Sequence, residues 1–453
     1  MKYLKKYKIN LDSLPKILFI LSIGIVVFFY GFATHQYRIF PYSLFKEANE
    51  GFNLILAFIK GDKDEELYRK TNYTKIIPTY DKNAAYNGLS LLTLVAANES
   101  LAAKIVDMDG TLIHEWNIDW YKIWTDVTTH IPQAELPKSR PGTHIHGAVL
   151  LDNGDLVFNF EGHGTVRLDL CGKVVWQLPY RTHHSIYRDE YNNLWISAQK
   201  DHLKTPMLDF PNYKPPIIEM MILKVSEEGK ILDEISIMDL LKENGLQGFL
   251  FMSSKAKSSN EVFAGHLHLN DVETFPSFKK EGFFKAGDIM VSLRNINTIL
   301  IFRNIDGKLK YLSMVVGEFV GQHDPDFIDG NTISIFDNND IAPDGYGLQS
   351  RILIKSFIDN QIHVYYTGTK EKPFFTEVMG KHQWLLNGNL LITEATKGRA
   401  FEIDKKGNIV WEYINLVEKG YIGMLEEAQR LPSKYTKEFF EQNTQRCHNS
   451  NLN

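Results

Sequence analysis

The chain has 453 residues, 44% hydrophobic and 12% aromatic, so a large core is available and general disorder is excluded. A net charge of −5, with no basic cluster beyond the extreme N-terminus, argues against nucleic acid as a partner. Two cysteines, Cys171 and Cys447, are too few for a disulfide framework or a cysteine-based zinc site; they are open to forming one bridge in an oxidising compartment or to remaining two thiols.

The N-terminus carries Lys2, Lys5, Lys6, Lys8 and Lys16, followed by the uncharged run "ILFILSIGIVVFFYGFA" from Ile17 to Ala33. At 1.5 Å per residue this gives roughly 25 Å of helix, near the lower limit for crossing a bilayer. The lysines hold the start of the chain in the cytoplasm and send the rest across. The segment therefore reads as a stub and transmembrane anchor over 1–34. A cleaved signal peptide is the rival, since Gly31 and Ala33 are small residues at the positions a peptidase requires. The run is long for a signal, and "YRIFPYSLFKEANEGFNLILAFIKG" continues as an amphipathic stretch. That stretch, within a linker over 35–84, suits a membrane surface or a helix packed on the domain.

From about residue 85 the chain repeats. A turn phrase, two strands around a Gly or Asn, appears as "VDMDGTLIHEW" (106–116), "LDLCGKVVWQL" (168–178), "VSEEGKILDEI" (225–235), "RNIDGKLKYL" (303–312), "FIDNQIHVYY" (357–366) and "IDKKGNIVWEY" (403–413). Asn360 replaces glycine in the fifth, which a left-handed turn position tolerates. Upstream lies a second phrase: His, apolar strand, turn, strand. It begins at His146, His184, His323 and His382, and in a copy stretched by an insertion at His268. The first copy, from Tyr86, lacks the histidine. Six units of about four short strands, alternating and punctuated by Gly, Asn and Asp, predict an all-β chain: a six-bladed β-propeller over 85–415. A seventh blade drawn from the segment before Tyr86 or from the tail is the alternative. Insertions at about 201–218, with Pro206, Pro211, Pro215 and Pro216, and at 240–262 read as loops. The tail, 416–453, reads as helical and packed on the propeller.

In such a disc, equivalent positions form a ring. His146, His184, His268, His323 and His382, in one repeat register, predict imidazoles around one mouth of the central channel, with His144, His183, His266 and Asp324 close by. A lone histidine at a strand start is usually a satisfied turn residue; five in one register are harder to explain that way. Arg294, Arg351 and Arg399 are candidates for holding an anion, because guanidinium presents a fork of donors. "FDNN" at 336–339 reads mainly as a structural turn.

The phrases "HHSIYRDEYNNLWIS", "SLRNINTILIF", "GQHDPDFIDGNTISIFDNN" and "LLITEATKGRAFEIDKKGNIVWEY" resemble the bacterial arylsulfotransferase (arylsulfate sulfotransferase) family over about 85–430. The resemblance implies an exported propeller that moves a sulfuryl group from a phenolic sulfate ester to a phenol, through a sulfated histidine and without a nucleotide donor or other cofactor. It aligns His184 and His323 with substrate-binding histidines. The family's sulfate-binding arginine is expected shortly after "FDN", where this chain has none before Arg351. The nucleophile position aligns nearer Arg399 than His382. The chemistry suits imidazole, which offers a lone pair near neutral pH, while donors must gather the charge on the transferring oxygens.

The expected catalytic set is therefore His382, His323 and His184, with His146, His183, His268, Arg294, Arg351 and Arg399 binding substrate and no metal. The expected partners are an aryl sulfate, a phenolic acceptor and, through the N-terminal helix, the inner membrane, with the catalytic domain in the periplasm. The alternatives are a metal-dependent hydrolase or lyase using the histidine ring, and a ligand-binding propeller without turnover.

Overall fold

The computed structural model describes residues 14–37, 40, 67–125, 130–203, 207, 217–252, 267–341 and 348–449. The chain forms two units, 1–65 and 66–453. In the first, Leu14–Tyr37 is one helix, its apolar side chains exposed, and by length and composition it is able to cross a membrane. The amphipathic stretch expected after it falls largely outside the described residues, as do the N-terminal lysines before Lys16, the four prolines of the first insertion and His266.

The second unit is a β-propeller built from up-and-down antiparallel sheets, each of which follows the repeat unit. Sheet II is Ile145–Leu150, Leu156–Phe160, Gly164–Leu168 and Val174–Leu178; sheet III is Arg181–Arg188, Leu194–His202, Ile217–Val225 and Ile231–Ser236. Sheet IV is Leu269–Thr274, Ile289–Leu293, Thr298–Ile305 and Lys308–Val316; sheet V is His323–Asp329, Thr332–Asp337, Arg351–Ser356 and Ile362–Thr367. Sheet VI is Lys381–Trp384, Leu390–Glu394, Arg399–Ile403 and Ile409–Ile414, with Thr79–Tyr80 added at its edge. All six turn phrases join the last two strands of a sheet.

Sheet I departs from the expectation. Its strands Ser90–Ala96, Ser100–Val106 and Leu112–Ile118 take their first strand from the other end of the chain, Leu425–Arg430. The tail is thus not helical from 416. Tyr421–Gly423 pairs with Leu416–Glu418 on one side and with Tyr68–Lys70 on the other in a small three-stranded sheet, and among the described residues of the tail only Lys437–Asn449 is helix. A disulfide between Cys171 and Cys447 fastens that helix to the last turn of sheet II. The second insertion is also not a plain loop: Ile237–Glu243 is a helix capped by Ser236, and Gln247–Phe251 a 3-10 turn.

First strands of neighbouring sheets lie against one another from I through VI, and the first strand of VI lies against that of I. The core is correspondingly divided into layers between sheets. Phe158 and Phe160 pack on Leu91 and Trp116 between II and I, and Phe336 and Ile352 on Phe401 between V and VI. Leu391 and Trp411 of VI pack on Leu92 and Leu425 of I. Strands buried on both faces, such as Ile289–Leu293, follow from this double coverage.

Candidate functional site: two clusters on the first strands

The first strands of sheets I to V each carry a pairing irregularity. In sheets II to V the pairing slips near residues 147, 184, 270 and 324, and Gly147, His184, His268 and Asp324 have positive φ (93°, 55°, 52° and 48°). Such bulges bend the strand and re-aim side chains. At Gly147 the demand is steric as well, because a Cβ there would meet His184 O at 2.2 Å. That close approach sets the His146 and His184 rings 4.1 Å apart.

The expected single register is therefore corrected. His184 and His268 sit on the positive-φ residue, His146 and His323 one residue before it, and His382 two residues after Gly380 (φ 103°). The bulge gathers the first four, together with His183. His382 lies further along its strand and leaves the group.

The histidine cluster is tightly connected. His183 Nδ1 is 3.0 Å from His184 Nδ1, and His184 Nε2 is 3.2 Å from His268 Nε2. His323 stacks on His184 at 6.2 Å, and His144 lies 6.0 Å from His146. Glu161 accepts from His146 Nδ1 at 2.8 Å and from the His184 backbone N–H at 3.2 Å. Burial lowers the basicity of these rings, with neighbouring cations and imidazoles adding to it: His183 falls to about 4, His268 to about 3, and His184 and His323 well below the usual range. Burial pushes the Glu161 carboxyl up, but His146, His183 and His144 pull it below the usual carboxylate range.

His323 has a defined tautomer. Its Nδ1 lies 2.7 Å from Asn338 Oδ1 and 3.0 Å from Gly321 O. The Asn338 amide is itself oriented, because its Nδ2 donates to Thr376 O and Met379 O. Nδ1 thus carries the proton and Nε2 the lone pair. Arg294 lowers the basicity of both His268 and His323, and among the described residues it makes no ion pair. Arg294 is half-buried, and the partial loss of solvent makes it less basic than usual. Asn338, within the "FDNN" turn, is thus a positioning residue that the turn reading understated.

The other arginines are committed elsewhere. Arg351 Nε donates to Asp337 Oδ2 at 2.7 Å, and Asp337 also caps the Val320 and Asn339 N–H groups. Arg399 bridges Glu412 (2.6 Å) and Glu394 (3.0 Å) and covers the Phe401 ring at 4.3 Å. Both brace their own sheets, and neither joins the histidines.

Further along the first strands lies a second cluster that the sequence reading missed. Ser185, Tyr187, Asp271, Glu273, Asp324, Asp326, Lys381, His382, Trp384 and Glu427 line a cavity of about 370 Å³. Lys381 Nζ is 2.8 Å from Asp324 Oδ1 and 3.7 Å from Asp271 Oδ1. His382 is enclosed: Nδ1 is 3.0 Å from Asp324 Oδ2, and Nε2 is 2.7 Å from Ser334 Oγ and 3.5 Å from Asp326 Oδ2. Burial alone would lower the His382 pKa, but Asp326 and Asp324 raise it above the usual value. Burial raises Asp271 to about 6; burial and Asp271 together raise Glu273 to about 8.

Two groups place three metal-ligating donors within 4.8 Å: His146, Glu161 and His184, and Asp324, Asp326 and His382. In the second, Lys381 already supplies a positive charge, and the carboxylates favour protonation of the His382 ring. The first has no such cation among its own members.

The comparisons with known proteins follow this geometry. The model of the family described as arylsulfotransferase (ASST) matches residues 147–416. No curated protein matches the sequence. Among solved structures, a Bacteroides caccae protein of unknown function aligns with TM-score 0.47 at 13% identity, over 75% of this chain and 98% of its own. The Pseudomonas aeruginosa periplasmic gluconolactonase aligns with TM-score 0.40 at 10% identity, over 76% and 99%. The WD40 β-propeller domain of Doa1 aligns with TM-score 0.39 at 8% identity, over 78% and 100%.

Proposed function

The chain belongs to the arylsulfotransferase family, and from that premise we propose that it moves a sulfuryl group from an aryl sulfate to a phenol through a sulfated His323. The observation that carries this reading is the His323 tautomer: a buried imidazole whose Nδ1 is held by Asn338 and Gly321, near an arginine that makes no ion pair among the described residues.

The step balances as follows. The His323 Nε2 lone pair forms the N–S bond as the ester S–O bond breaks, and the donor leaves as a phenolate. Arg294 gathers the charge on the three sulfuryl oxygens. The incoming phenol gives its proton to the His184–His268 pair as its oxygen attacks sulfur and the N–S bond breaks. His382 does not suit the nucleophile's role, because both its nitrogens face oxygen partners and its carboxylate neighbours favour the imidazolium, which lacks a lone pair. Arg351 and Arg399 are structural in this reading.

The same proposal takes sheets I to VI as six blades of one disc, with the three-stranded sheet as an appendage; six apolar layers between neighbouring sheets support that count. It takes Leu14–Tyr37 as an uncleaved single span with the propeller on the periplasmic side of the inner membrane, a placement supported by the Cys171–Cys447 bridge, which persists in oxidising compartments.

The test is transfer from 4-nitrophenyl sulfate to phenol by detergent-solubilised full-length protein. Turnover in the wild type, lost in His323→Ala and retained in His382→Ala, supports the assignment. Turnover lost only in His382→Ala overturns it.

A further inference from the structure

Glu426 is a carboxyl that the reading above does not use. It lies on Leu425–Arg430, the first strand of sheet I, which rests against the first strand of sheet II carrying His146. It is 2% exposed, and neither carboxyl oxygen has a hydrogen-bond partner among the described residues. Burial disfavours its charge, and the nearby Glu161 and Glu427 carboxyls disfavour it further. A buried acid among acids is costly unless a proton or a cation compensates it. Glu427 is already served, because it accepts from the Ala148 N–H and from Gln429. Glu161 belongs to the group in which His146 and His184 bring their ring nitrogens within 4.8 Å of its carboxylate.

We propose that His146, Glu161 and His184, drawn from sheets II and III, form a binding site for one divalent first-row transition ion, and that Glu426 of sheet I, which lies outside the 4.8 Å group of the other three, turns its carboxylate in as the fourth ligand. Two imidazoles and two carboxylates with no thiolate are a borderline donor set that suits Zn²⁺, Mn²⁺ or Co²⁺. The ion gives the orphan carboxyl oxygens of Glu426 a partner and offsets the charge of two acids. Its ligand His184 would bind through Nδ1, 3.7 Å from Glu161 Oε1, in exchange for the 3.0 Å contact that this nitrogen makes with His183 Nδ1. That leaves Nε2 toward His268. The ion therefore sits on the far side of His184 from His268. The inference needs only the donor geometry and stands whether or not the chain transfers sulfate.

The test is zinc binding to full-length protein in detergent, stripped with chelator and dialysed, followed by titration calorimetry with Zn²⁺ and no substrate. The expected result is about one equivalent per chain, weakened at least tenfold by Glu161→Gln and by Glu426→Gln and within about twofold of wild type in Asp326→Asn. Wild-type protein needs no substitution for the second readout: Co²⁺ should give the visible spectrum of a low-coordinate nitrogen and oxygen site. Absence of Zn²⁺ binding, binding unchanged in both glutamine variants, loss of binding in Asp326→Asn, or a Co²⁺ spectrum like the hydrated ion's would each overturn the proposal.

Discussion

The two clusters on the first strands use the same scaffold and reach opposite chemistry. At the strand starts, bulges bring together neutral imidazoles, and burial keeps them neutral. A few residues further on, the same strands present Asp271, Glu273, Asp324 and Asp326, with Lys381 and His382 both paired to Asp324. Histidine belongs to both, but its neighbours decide its state. His323 faces an amide and a carbonyl that hold its Nδ1 proton and leave the Nε2 lone pair; His382 faces carboxylates that favour its protonated form. Residue type alone does not make a nucleophile; the groups that hold the ring do.

The sharpest way to break this comparison is to remove each histidine. His323→Ala should lower transfer by about a thousandfold or more, since the covalent route is lost. His382→Gln should keep activity within about tenfold and lower thermal stability instead, because it strips the buried carboxylates of a charge partner. Equal losses in the two variants would erase the distinction. Arg294→Ala should cost about a hundredfold, mainly in kcat, as expected for a group that binds developing charge, whereas a pure KM effect would count against that role.

Smaller effects sharpen the contrast further. Arg351→Ala should destabilise by about 3 kcal/mol, because Asp337 is left buried without its cation, and should barely change kcat. Chemical denaturation beside the transfer assay separates the two readouts. The carboxylate cluster also makes a pH prediction. Glu273 binds its proton more tightly folded than unfolded, with a folded value of about 8. Its favourable contribution is present in acid and is lost as pH rises from the ordinary carboxylate range through about 8. Melting temperature should therefore fall from pH 5 to pH 8.5, and Glu273→Gln should flatten that slope, by on the order of a few kcal/mol in stability. An unchanged slope would show that Glu273 does not hold its proton in the fold.

Much of the fold was legible because hairpin turns are local. A Gly or Asn that accepts positive φ between alternating strands announces itself, and all six such turns are hairpins in the structure. "LEEAQR" at 425–430 was not legible as a strand, since Leu, Glu, Ala, Gln and Arg favour helix; its pairing with Ser90–Ala96 is long-range and overrides that preference. The histidines were visible as a set, but not their register. Which of two consecutive residues takes the positive-φ position is settled by contact between strands, as at Gly147 against His184 O. The carboxylate cluster left a faint signal, acids two apart at Asp271 and Glu273 and at Asp324 and Asp326, which places each pair on one face of a strand. Acids at strand ends are common enough on solvated faces that the spacing alone did not point inward.

The most direct test of the central claim is to trap the covalent intermediate. Full-length protein would be mixed with an aryl sulfate in the absence of a phenol acceptor, digested without acid, and its peptides weighed. The account predicts the mass of one sulfuryl group on the peptide bearing His323, absent in His323→Ala and discharged by added phenol. The same mass on the peptide bearing His382, or steady turnover with no labelled histidine, would contradict it.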